Sequence, residues 1–454
     1  GIWLMPIMPS PSYHKYDVTD YMDIDPQYGT MEDFKAFLEA AHQRGIDVII
    51  DFVMNHTSSD HPWFQKASGY LRGLEAGAEP DLAACPYVDY YNFSLEPSTC
   101  KLEGTEWYYE APFWSGMPDL NLKSEAVRAE LEEIVDFWLE LGVDGFRLDA
   151  AKEFVSGATE ANIEILTWFN DMVKAKKSDA FIVAEVWTDL STYSQYYASG
   201  VSCFNFSFGN SDGVIPNTVK HIGNANASSY GKAIMKLQDA LSAYDPDYID
   251  SPFYTNHDMG RAAGHYFNEY SAYQTKMAQA LNLLMSGSTF LYYGEELGMK
   301  GSGKDENKRA PMYWSDDAGY AGLCSGPADM EDFDMKFPSF EDQKADGDSI
   351  FWFVAQTIRL RNAYPAIARG TAVLEEALSN ENVCVLRKTW GEEEVLLAFN
   401  ISEAAQSVDL SGVTVSGGDP EIGGVLVTSA EEPVLEDGSL SMPMYSVVVL
   451  SHSK

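Results

Sequence analysis

Apolar runs of strand length alternate with stretches of helical periodicity through most of the chain. The runs GIWLMPI at 1–7 and IDVIIDFV at 46–53 each have the length of a buried strand. Between them, residues 30–45 begin with a capping-box pair, carry apolar residues at helical spacing and end at a glycine. A strand, a helix and a strand joined by short links are typical of parallel strands buried on both faces.

The same alternation resumes after residue 122 and continues to about residue 367. At least seven strands alternate with helices, one fewer than a (β/α)8 TIM barrel of the α/β class contains. We therefore expect such a barrel, with its first strand and helix missing from this sequence. Further helices are predicted at 124–142, 163–173, 277–284 and 349–362, and further strands at 143–149, 180–187, 201–208, 251–258 and 288–296.

Two regions depart from this alternation. Residues 56–121 are rich in turns and aromatic residues and show no long periodic helix, so we expect an inserted domain B there. After residue 368 the apolar pattern changes to a period of two, which predicts a C-terminal antiparallel β-sandwich. The predicted organisation is a barrel at 1–55 and 122–367, domain B at 56–121, and the sandwich, domain C, at 368–454.

The charge of the chain excludes several classes of partner. Acidic residues number 69 against 30 basic ones, and the net charge is −39. Such a surface repels phosphate backbones and anionic lipids, so we expect no nucleic-acid partner. No apolar run reaches the roughly 18 residues that a membrane span needs. We expect a monomer that acts on a neutral substrate, extracellular or at the cell surface, with the cytoplasm as the alternative location.

The five cysteines are widely scattered and show no CxxC spacing, so zinc is not expected. Cys85 and Cys100 flank one loop-like segment and would be able to pair in a secreted protein. Free thiols are the alternative for both.

Polar side chains follow the apolar runs at the point where each predicted strand ends. In a barrel, the C-terminal ends of the strands carry the active site. A lone carboxylate at such a position is usually a helix cap or part of a loop ion pair, but six coincident strand ends indicate a shared site. The residues are Tyr16, Asp17, Asp51, Asn55, His56, Arg147, Asp149, Glu185, Asn256, His257, Asp258, Glu295 and Glu296.

Three of these carboxylates, Asp149, Glu185 and Asp258, follow three different strands. No nucleophile elbow and no phosphate-binding glycine loop accompanies them. Carboxylates among aromatic residues suit the cleavage of a glycosidic bond, which needs one ionised and one protonated carboxyl group. Arg147 favours the ionised form of its neighbour Asp149, the candidate nucleophile, whereas the apolar neighbours of Glu185 suit a general acid.

At these residues the sequence resembles the α-amylase family of glycoside hydrolases. Four family motifs occur in order, DFVMNH at 51–56, GFRLDAAK at 145–152, EVW at 185–187 and YTNHD at 254–258. A fifth, MPDLN at 117–121, ends the insert. The resemblance covers the chain to about residue 450, and it implies a barrel with a protruding domain B and a C-terminal sandwich.

The resemblance implies a retaining mechanism in which Asp149 is the nucleophile, Glu185 the general acid/base and Asp258 the stabiliser of the transition state. It also implies sugar contacts by the residues Tyr16, His56, Arg147, Lys152 and His257. Further candidates for substrate binding are Asp17, Asn256 and Trp187, although Asp17 can also pair locally and Trp187 can also be a packing residue.

No cofactor is expected for the chemistry, and the metal content is left open. Asn55 matches a calcium-ligand position of many family members, in which the backbone carbonyl at the position of Glu153 also contributes. Many members have His where Glu153 stands. A structural calcium ion and a bracing role for Asn55 are therefore both open.

The insert contains aromatic residues that can either line sugar subsites or form the core of domain B. We expect most of them to be core. The residues are Trp63, Trp107, Tyr108 and Trp114.

The resulting interpretation is an α-amylase-like glycoside hydrolase that cleaves α-1,4-glucosidic bonds of starch and maltooligosaccharides. Relatives specific for α-1,6 bonds typically carry Val where Ala150 stands. The MPDLN motif, however, is intermediate between the oligo-1,6-glucosidase and neopullulanase branches, so an α-1,6-glucosidase, a neopullulanase-like enzyme or a transglycosylating enzyme is the alternative. A different class is a non-catalytic, amylase-like interaction scaffold, whose known examples have lost catalytic carboxylates.

Overall fold

A computed structural model describes residues 1–452, which separate into two compact units. The first unit comprises residues 1–187 and 195–203, and the second comprises residues 188–194 and those from 204 onward. Within residues 1–452, no helix combines the length and the apolar character needed to cross a membrane.

The first unit contains a parallel sheet whose strands are joined by helices. Its elements are β1 (Ile2–Leu4), α1 (Met31–His42), β2 (Val48–Phe52), α2 (Pro62–Arg72), β3 (Phe93–Ser94), β4 (Cys100–Lys101), β5 (Tyr108–Tyr109), α3 (Glu125–Leu141), β6 (Gly145–Leu148), α4 (Thr159–Lys176) and β7 (Phe181–Ala184). Within this unit the sheet runs β1-β2-β6-β7, and Ser202 and Cys203 pair in parallel with the end of β7. All residues of β2 and β6 are buried, as expected for strands covered on both faces.

Local sequence signals account for the ends of these elements. Thr30 and Asp33 form the predicted capping box of α1, with the Thr30 amide donating to Asp33 Oδ2 over 2.8 Å. Gly145 begins β6 with a φ of +154°, and a Cβ atom there would lie 1.8 Å from the Phe181 carbonyl oxygen. Only glycine allows β6 and β7 to approach so closely, and this approach sets the position of the residues that follow on β6.

The segment 56–121 is more regular than its turn-rich sequence suggested. It contains the eleven-residue helix α2, which begins at Pro62 with His61 as the N-cap, and a small antiparallel sheet with the order β3-β5-β4. No disulfide bond joins Cys85 and Cys100. The free-thiol alternative is therefore the one that the structure adopts for these two residues.

The second unit contains further helices and an antiparallel region. Its elements are α5 (Leu190–Tyr193), the second half of β8 (Ser202–Asn205), α6 (Val214–Val219), α7 (Ala227–Ser242), β9 (Ser251–Pro252), α8 (Ser271–Leu283), α9 (Asp305–Lys308), α10 (Phe340–Ala345), α11 (Ile350–Ala363), α12 (Pro365–Arg369), β10 (Thr371–Leu374), β11 (Val383–Trp390), β12 (Glu393–Asn400), β13 (Gln406–Asp409), β14 (Glu421–Leu426), β15 (Val434–Glu436), β16 (Ser439–Met442) and β17 (Ser446–Ser451). Phe204 and Asn205 pair in parallel with β9.

Two predicted strands of this unit are shorter than expected. The segment 251–258 forms a strand only over Ser251–Pro252, and the segment 288–296 contributes a single parallel bridge between Phe290 and Phe253. Two backbone hydrogen bonds still pair these segments, from the Ser288 amide to the Asp250 carbonyl oxygen at 2.8 Å and from the Phe290 amide to the Pro252 carbonyl oxygen at 2.7 Å. Further along the chain, the Tyr293 hydroxyl donates to the Ala310 carbonyl oxygen at 2.7 Å.

The C-terminal region is a sandwich of two antiparallel sheets, in agreement with its period-two pattern. One sheet has the order β10-β11-β12-β17-β14 and the other the order β13-β16-β15. Strand β16 alternates exposed and buried residues, because only one of its faces lies on the core. The buried residues shared by the two sheets are Val383, Val385, Leu396, Ala398, Val408, Leu410, Val415, Leu440, Met442, Val448 and Leu450.

Candidate active site

One arginine joins three carboxylates at the ends of adjacent strands of the first unit. Arg147, the third residue of β6, has only 1% of its side chain exposed. Its Nη1 donates to Asp149 Oδ1 at 2.6 Å and to both oxygens of Asp51 at 2.9 Å, and its Nη2 donates to Glu185 Oε2 at 2.6 Å. These charge-assisted hydrogen bonds fix the orientation of all three carboxylates.

Two aromatic rings flank this arginine. The guanidinium carbon of Arg147 lies 5.1 Å from the centre of the Trp3 ring and 5.5 Å from that of Tyr16, within the range of cation–π contacts. The Tyr16 hydroxyl also donates to Asp51 Oδ2 at 2.9 Å. Asp51, the penultimate residue of a fully buried strand, is thus paired with residues distant in the chain rather than exposed to a ligand.

Burial and neighbouring charges shift the pKa values of the members of this cluster. Burial raises the pKa of Glu185, and the neighbouring charge of Asp149 raises it further, although Arg147 opposes the shift. Burial likewise raises the pKa of Asp51, to about 6, against the influence of Arg147. Although burial disfavours the charge of Arg147, the surrounding acidic groups raise its pKa well above the usual value. The arginine therefore stays charged, and Glu185 can hold a proton at higher pH than an ordinary glutamate.

His56 is a buried, neutral imidazole. Burial lowers its pKa to about 4, so it carries no charge near neutral pH. It forms an isolated antiparallel bridge with Asp119, which anchors the end of the 56–121 segment beside it. The ring of Phe113 lies 5.2 Å from the His56 ring, centre to centre.

Asp17 is engaged by hydroxyl groups of its own loop. Its Oδ1 accepts a hydrogen bond of 2.6 Å from Ser10 Oγ and a second one from Ser12 Oγ, and the residue is buried. The local pairing anticipated for Asp17 is therefore present in the structure, and it holds the loop that carries Tyr16.

Lys15, next to Tyr16, is an unusual residue of the same loop. It has a φ of +67°, a left-handed conformation that non-glycine residues rarely adopt, and it is buried. Its Nζ lies 2.8 Å from Asp25 Oδ2. Although burial opposes the shift, the hydrogen bond from Lys15 lowers the pKa of Asp25. Sequence reasoning did not identify this ion pair, since its two members carry no shared local pattern.

The remaining candidates of the first unit lie at more exposed positions. Lys152 pairs with Glu153, with 3.3 Å between Nζ and Oε1, and 43% of its side chain is exposed. Trp187 directly follows the EV pair of the third motif and is exposed by 44%. Both side chains are accessible to a ligand.

The second unit carries the candidates Asn256, His257 and Asp258. Asp258 Oδ2 lies 3.1 Å from His257 Nε2, and its amide donates to Asn256 Oδ1 at 2.9 Å. Arg309 Nη2 donates to Asp258 Oδ1 at 3.1 Å, and Lys308 Nζ donates to the Asp258 carbonyl oxygen at 2.9 Å. Sequence reasoning missed both cations, although a Lys-Arg pair in a strongly acidic chain was a usable signal.

The surroundings of Asn55 bear on whether calcium fits this chain. Asn55 Oδ1 is buried without a hydrogen-bond partner, while its Nδ2 donates to Asp119 Oδ1 at 3.0 Å. Burial raises the pKa of Asp119 to about 9, and the charges of Glu110 and Glu153 add to the shift. Oxygen donors of this kind suit Ca²⁺. Within residues 1–452, however, no three His, Cys, Asp or Glu side chains are grouped closely enough to hold a metal. Asn55 Oδ1 and the Asp119 carboxyl group are the side-chain oxygen donors at this position, and backbone or water oxygens would have to complete the coordination of an ion.

Comparison with known proteins identifies the family of this chain. The family model described as "Alpha amylase, catalytic domain" matches residues 1–370. Alpha-amylase 3 of Dictyoglomus thermophilum is 41% identical over 324 residues, a match that covers 70% of this chain and 60% of that protein. A 4-alpha-glucanotransferase of Thermotoga neapolitana is 29% identical over 365 residues, covering 77% of this chain and 75% of the relative.

Solved structures agree with this result. Eubacterium rectale Amy13B superimposes with a TM-score of 0.97 at 49% identity, covering 100% of this chain and 88% of that one. The alpha-amylase of H. orenii gives a TM-score of 0.81 at 32% identity, covering 99% and 89% of the two chains. These similarities confirm the predicted fold class, a TIM-barrel α/β protein with a C-terminal antiparallel sandwich. The chain belongs to the α-amylase family of glycoside hydrolases.

Proposed function

We propose that this chain is a retaining α-glycoside hydrolase that cleaves α-1,4-glucosidic bonds in starch and maltooligosaccharides. The observation that carries the proposal is the binding of Asp149 and Glu185 to the two terminal nitrogens of one buried arginine. This arrangement gives one carboxylate a charge-assisted hydrogen bond, which favours its ionised form, and places it next to another whose pKa is raised, the combination that double displacement at a sugar requires.

In the proposed reaction, Asp149 attacks the anomeric carbon while Glu185 donates its proton to the departing glycosidic oxygen. The covalent glycosyl-enzyme then reacts with a water molecule from which Glu185, now ionised, removes a proton. Asp258 stabilises the positive charge that develops on the sugar between these states. His56, Arg147 and His257 donate hydrogen bonds to the sugar, and the remaining substrate contacts come from the residues Tyr16, Lys152, Trp187 and Asn256.

The neutral state of His56 supports its role in sugar binding. An uncharged imidazole has one donor and one acceptor nitrogen, which suits hydroxyl groups, and it does not compete with Arg147 for the carboxylates. Asp17 then acts indirectly, because its bonds to Ser10 and Ser12 hold the loop on which Tyr16 lies.

Transglycosylation or α-1,6 cleavage is the second candidate within the family. The similarity to a 4-alpha-glucanotransferase and the intermediate MPDLN motif favour it. The same two carboxyl groups would serve, with a sugar hydroxyl in place of water or a different linkage in the site. The scaffold alternative is disfavoured, because Asp149, Glu185 and Asp258 are all present.

A structural calcium ion, if bound, would be held by Asn55 Oδ1 and Asp119, and its charge would favour the ionised form of that buried carboxyl group, whose pKa is otherwise raised to about 9. It would stabilise the fold beside His56 and supply no chemistry. The polymeric substrate and the acidic surface support an extracellular or cell-surface location and a monomeric protein, whereas a maltodextrin enzyme of the cytoplasm would share the same site.

The proposal is tested by measuring the release of reducing ends from soluble starch by the wild type and by Asp149→Asn, Glu185→Gln and Asp258→Asn. We expect activity in the wild type and a loss of at least about 10³-fold in each variant. NMR of the first product should show the α-anomer, as retention requires. Inversion or full activity of Asp149→Asn would contradict the mechanism. Product profiles on pullulan, isomaltose and cyclodextrin distinguish the second candidate.

A further inference from the structure

The parallel pairing between β6 and β7 contains one extra residue directly after Asp149. The Glu185 amide donates to the Leu148 carbonyl oxygen at 2.9 Å, as in a regular ladder with the register of these two strands. A regular ladder would continue with the amide of Ala150 on the Glu185 carbonyl oxygen. The Ala151 amide makes that bond instead, at 3.0 Å. Ala150 is therefore the additional residue of a β-bulge, and the ladder does not use its amide.

The amide of Ala150 binds the side chain of the proposed general acid instead. It donates to Glu185 Oε2 at 3.2 Å, and Arg147 Nη2 donates to the same oxygen at 2.6 Å. A carboxylate oxygen has two lone pairs, and both lone pairs of Oε2 thus face N–H donors. A proton on Oε2 would displace at least one of these donors. The proton of Glu185 is therefore more stable on Oε1.

Ala150 adopts a left-handed backbone conformation to present this amide. Its φ and ψ angles are +48° and +38°, a region that residues with a Cβ atom rarely adopt because of steric contact with the backbone. The following turn fixes the conformation, since the Glu153 amide donates to the Ala150 carbonyl oxygen at 2.8 Å and Asn162 Nδ2 donates to the Lys152 carbonyl oxygen at 2.6 Å. Such backbone angles persist only where the surrounding contacts hold them.

The groups around Glu185 differ in their effect on its protonation. Burial and the charge of Asp149 raise the pKa of Glu185, whereas Arg147 and the Ala150 amide lower it. Asp51 is a further carboxylate whose charge acts on Glu185. A general acid becomes a carboxylate as it gives up its proton, so a hydrogen-bond donor to that carboxylate stabilises the transition state.

We propose that Ala150 is a positioning residue whose backbone amide holds Oε2 of Glu185 and thereby places the transferable proton on Oε1. This proton moves to the glycosidic oxygen as the bond between that oxygen and the anomeric carbon breaks. The negative charge left on Glu185 is shared with Oε2, where the Ala150 amide stabilises it. The inference rests on the proposed function and specifies how its general acid is oriented.

The amide can be removed without changing a side chain by replacing Ala150 with L-lactic acid, which introduces a backbone ester. Cell-free synthesis with a suppressor tRNA charged with this hydroxy acid yields the full chain. The matched control is the same replacement at Ala158, another alanine of the first unit, whose amide donates to the Val155 carbonyl oxygen at 3.0 Å. Initial rates on maltoheptaose are measured as a function of pH, and melting temperatures verify folding.

We expect the ester at Ala150 to lower kcat by about 10–100-fold and to change KM by less than about twofold, because the lost hydrogen bond strengthens as the carboxylate forms. The fall of kcat at high pH should move to higher pH, because removal of a donor to the ionised form raises the pKa of Glu185. The ester at Ala158 should alter neither quantity. An unchanged kcat, or a lower kcat without this movement, would overturn the positioning role.

A second measurement needs neither the ester nor a substrate. In the wild type labelled with nitrogen-15 alanine, the Ala150 amide resonance should shift with pH at the apparent pKa of Glu185, and the Ala158 resonance should not. The shift should persist in Asp149→Asn, which excludes the covalent neighbour as its source, and disappear in Glu185→Gln. Absence of the shift in the wild type, or its persistence in Glu185→Gln, would overturn the inference even if the ester protein does not fold.

The inference and the proposed function can fail separately. A wild type that hydrolyses starch, but whose Ala150 amide does not respond to Glu185, retains the function and loses the positioning role. If the wild type hydrolyses no α-glucan, the proposed function fails. The amide titration then decides by itself whether Ala150 orients the Glu185 side chain.

Discussion

The structure holds its proposed catalytic carboxylates in two different ways. In the first unit, Asp149 and Glu185 share Arg147, a guanidinium with 1% of its side chain exposed. In the second unit, 31% of the Asp258 side chain is exposed, and Arg309 follows it 51 residues later, on the segment just after the short helix α9. Both arginines lie largely inside the protein, since the Arg309 side chain is 9% exposed. The two regions differ in how far solvent reaches the carboxylate, with Asp149 and Glu185 exposed by 11% and 13% and Asp258 by 31%.

The comparison separates two consequences of pairing a carboxylate with an arginine. A buried cation that is removed leaves its partners as unpaired charges in a medium of low polarity, which destabilises the whole fold. A pair that water reaches is screened, and its loss affects mainly the orientation of the carboxylate. We therefore expect Arg147 to matter for both folding and activity, and Arg309 mainly for activity.

The largest effect is expected for Arg147→Gln. This variant removes the partner of Asp51, Asp149 and Glu185 at once, and we expect kcat/KM to fall by at least about 10³-fold and the free energy of unfolding by about 3–5 kcal/mol. Starch hydrolysis and denaturant unfolding measure the two quantities. Lost activity with unchanged stability would show that the fold does not need a cation next to these carboxylates. The two arginines would then not differ in their effect on stability.

A smaller effect is expected for Arg309→Gln. We expect a loss of about 10–100-fold in kcat, because Asp258 loses one of the groups that orient it, with a change in unfolding free energy below about 1 kcal/mol. Lys304→Gln is the matched control. Lys304 lies on the same segment, has 52% of its side chain exposed and pairs with Glu331, so its loss should leave kcat unchanged. Comparable losses in the two variants would mean that the segment, rather than the contact with Asp258, matters.

Disruption of the Lys15–Asp25 pair should act mainly on stability. We expect Lys15→Met to lower the free energy of unfolding by about 3 kcal/mol, because the buried Asp25 carboxylate loses its cation and keeps only the backbone amides of Ser10 and Gln27 as donors. We also expect KM to rise a few-fold through the neighbouring Tyr16. Lys15→Gly tests the contribution of the backbone, since glycine adopts a φ of +67° without strain. If Lys15→Gly is as stable as the wild type, strain relief offsets the lost ion pair. Greater stability of Lys15→Met than of the wild type would contradict the expectation.

The smallest effect concerns the titration of Glu185. Because the charge of Asp149 raises the pKa of Glu185, Asp149→Asn should lower that pKa, and the protonated form should then be lost at lower pH than in the wild type. Carbon-13 NMR of labelled glutamate measures the shift without any need for activity. Asp179→Asn is the control, since Asp179 is an exposed carboxylate just before β7. A rise in the pKa of Glu185 in Asp149→Asn would contradict the assignment of charges.

The sequence predicts those features that depend on local pattern. Three such features follow from spacing along the chain, and the structure contains each of them. They are the capping box at Thr30, the buried strand that carries Arg147 just before Asp149, and the period-two strands of the sandwich. The contact between Arg147 and Asp149 was also expected, since only Leu148 lies between them. The catalytic roles assigned to these residues stay predictions.

Other features depend on contacts between distant residues and leave no local signal. Asp51 is 96 residues from Arg147 in the chain, and Arg309 is 51 residues from Asp258. Periodicity reports whether a side chain is buried, but it does not report which distant group pairs with it. The strand predicted at 288–296 is present only in part. Its first residues pair through the backbone with Asp250 and Pro252, whereas a turn closed by the Glu295 amide and the Tyr292 carbonyl oxygen ends the pairing.

The close approach of β6 and β7 at Gly145 limits how this enzyme can evolve. Any other residue at this position would displace the start of the strand that carries Arg147 and Asp149, so a randomised library selected for starch hydrolysis should return glycine alone. Changes in substrate preference would then have to arise outside the sheet. New substrate specificities are therefore expected to come from substitutions in the loops, while the strands of the sheet stay unchanged.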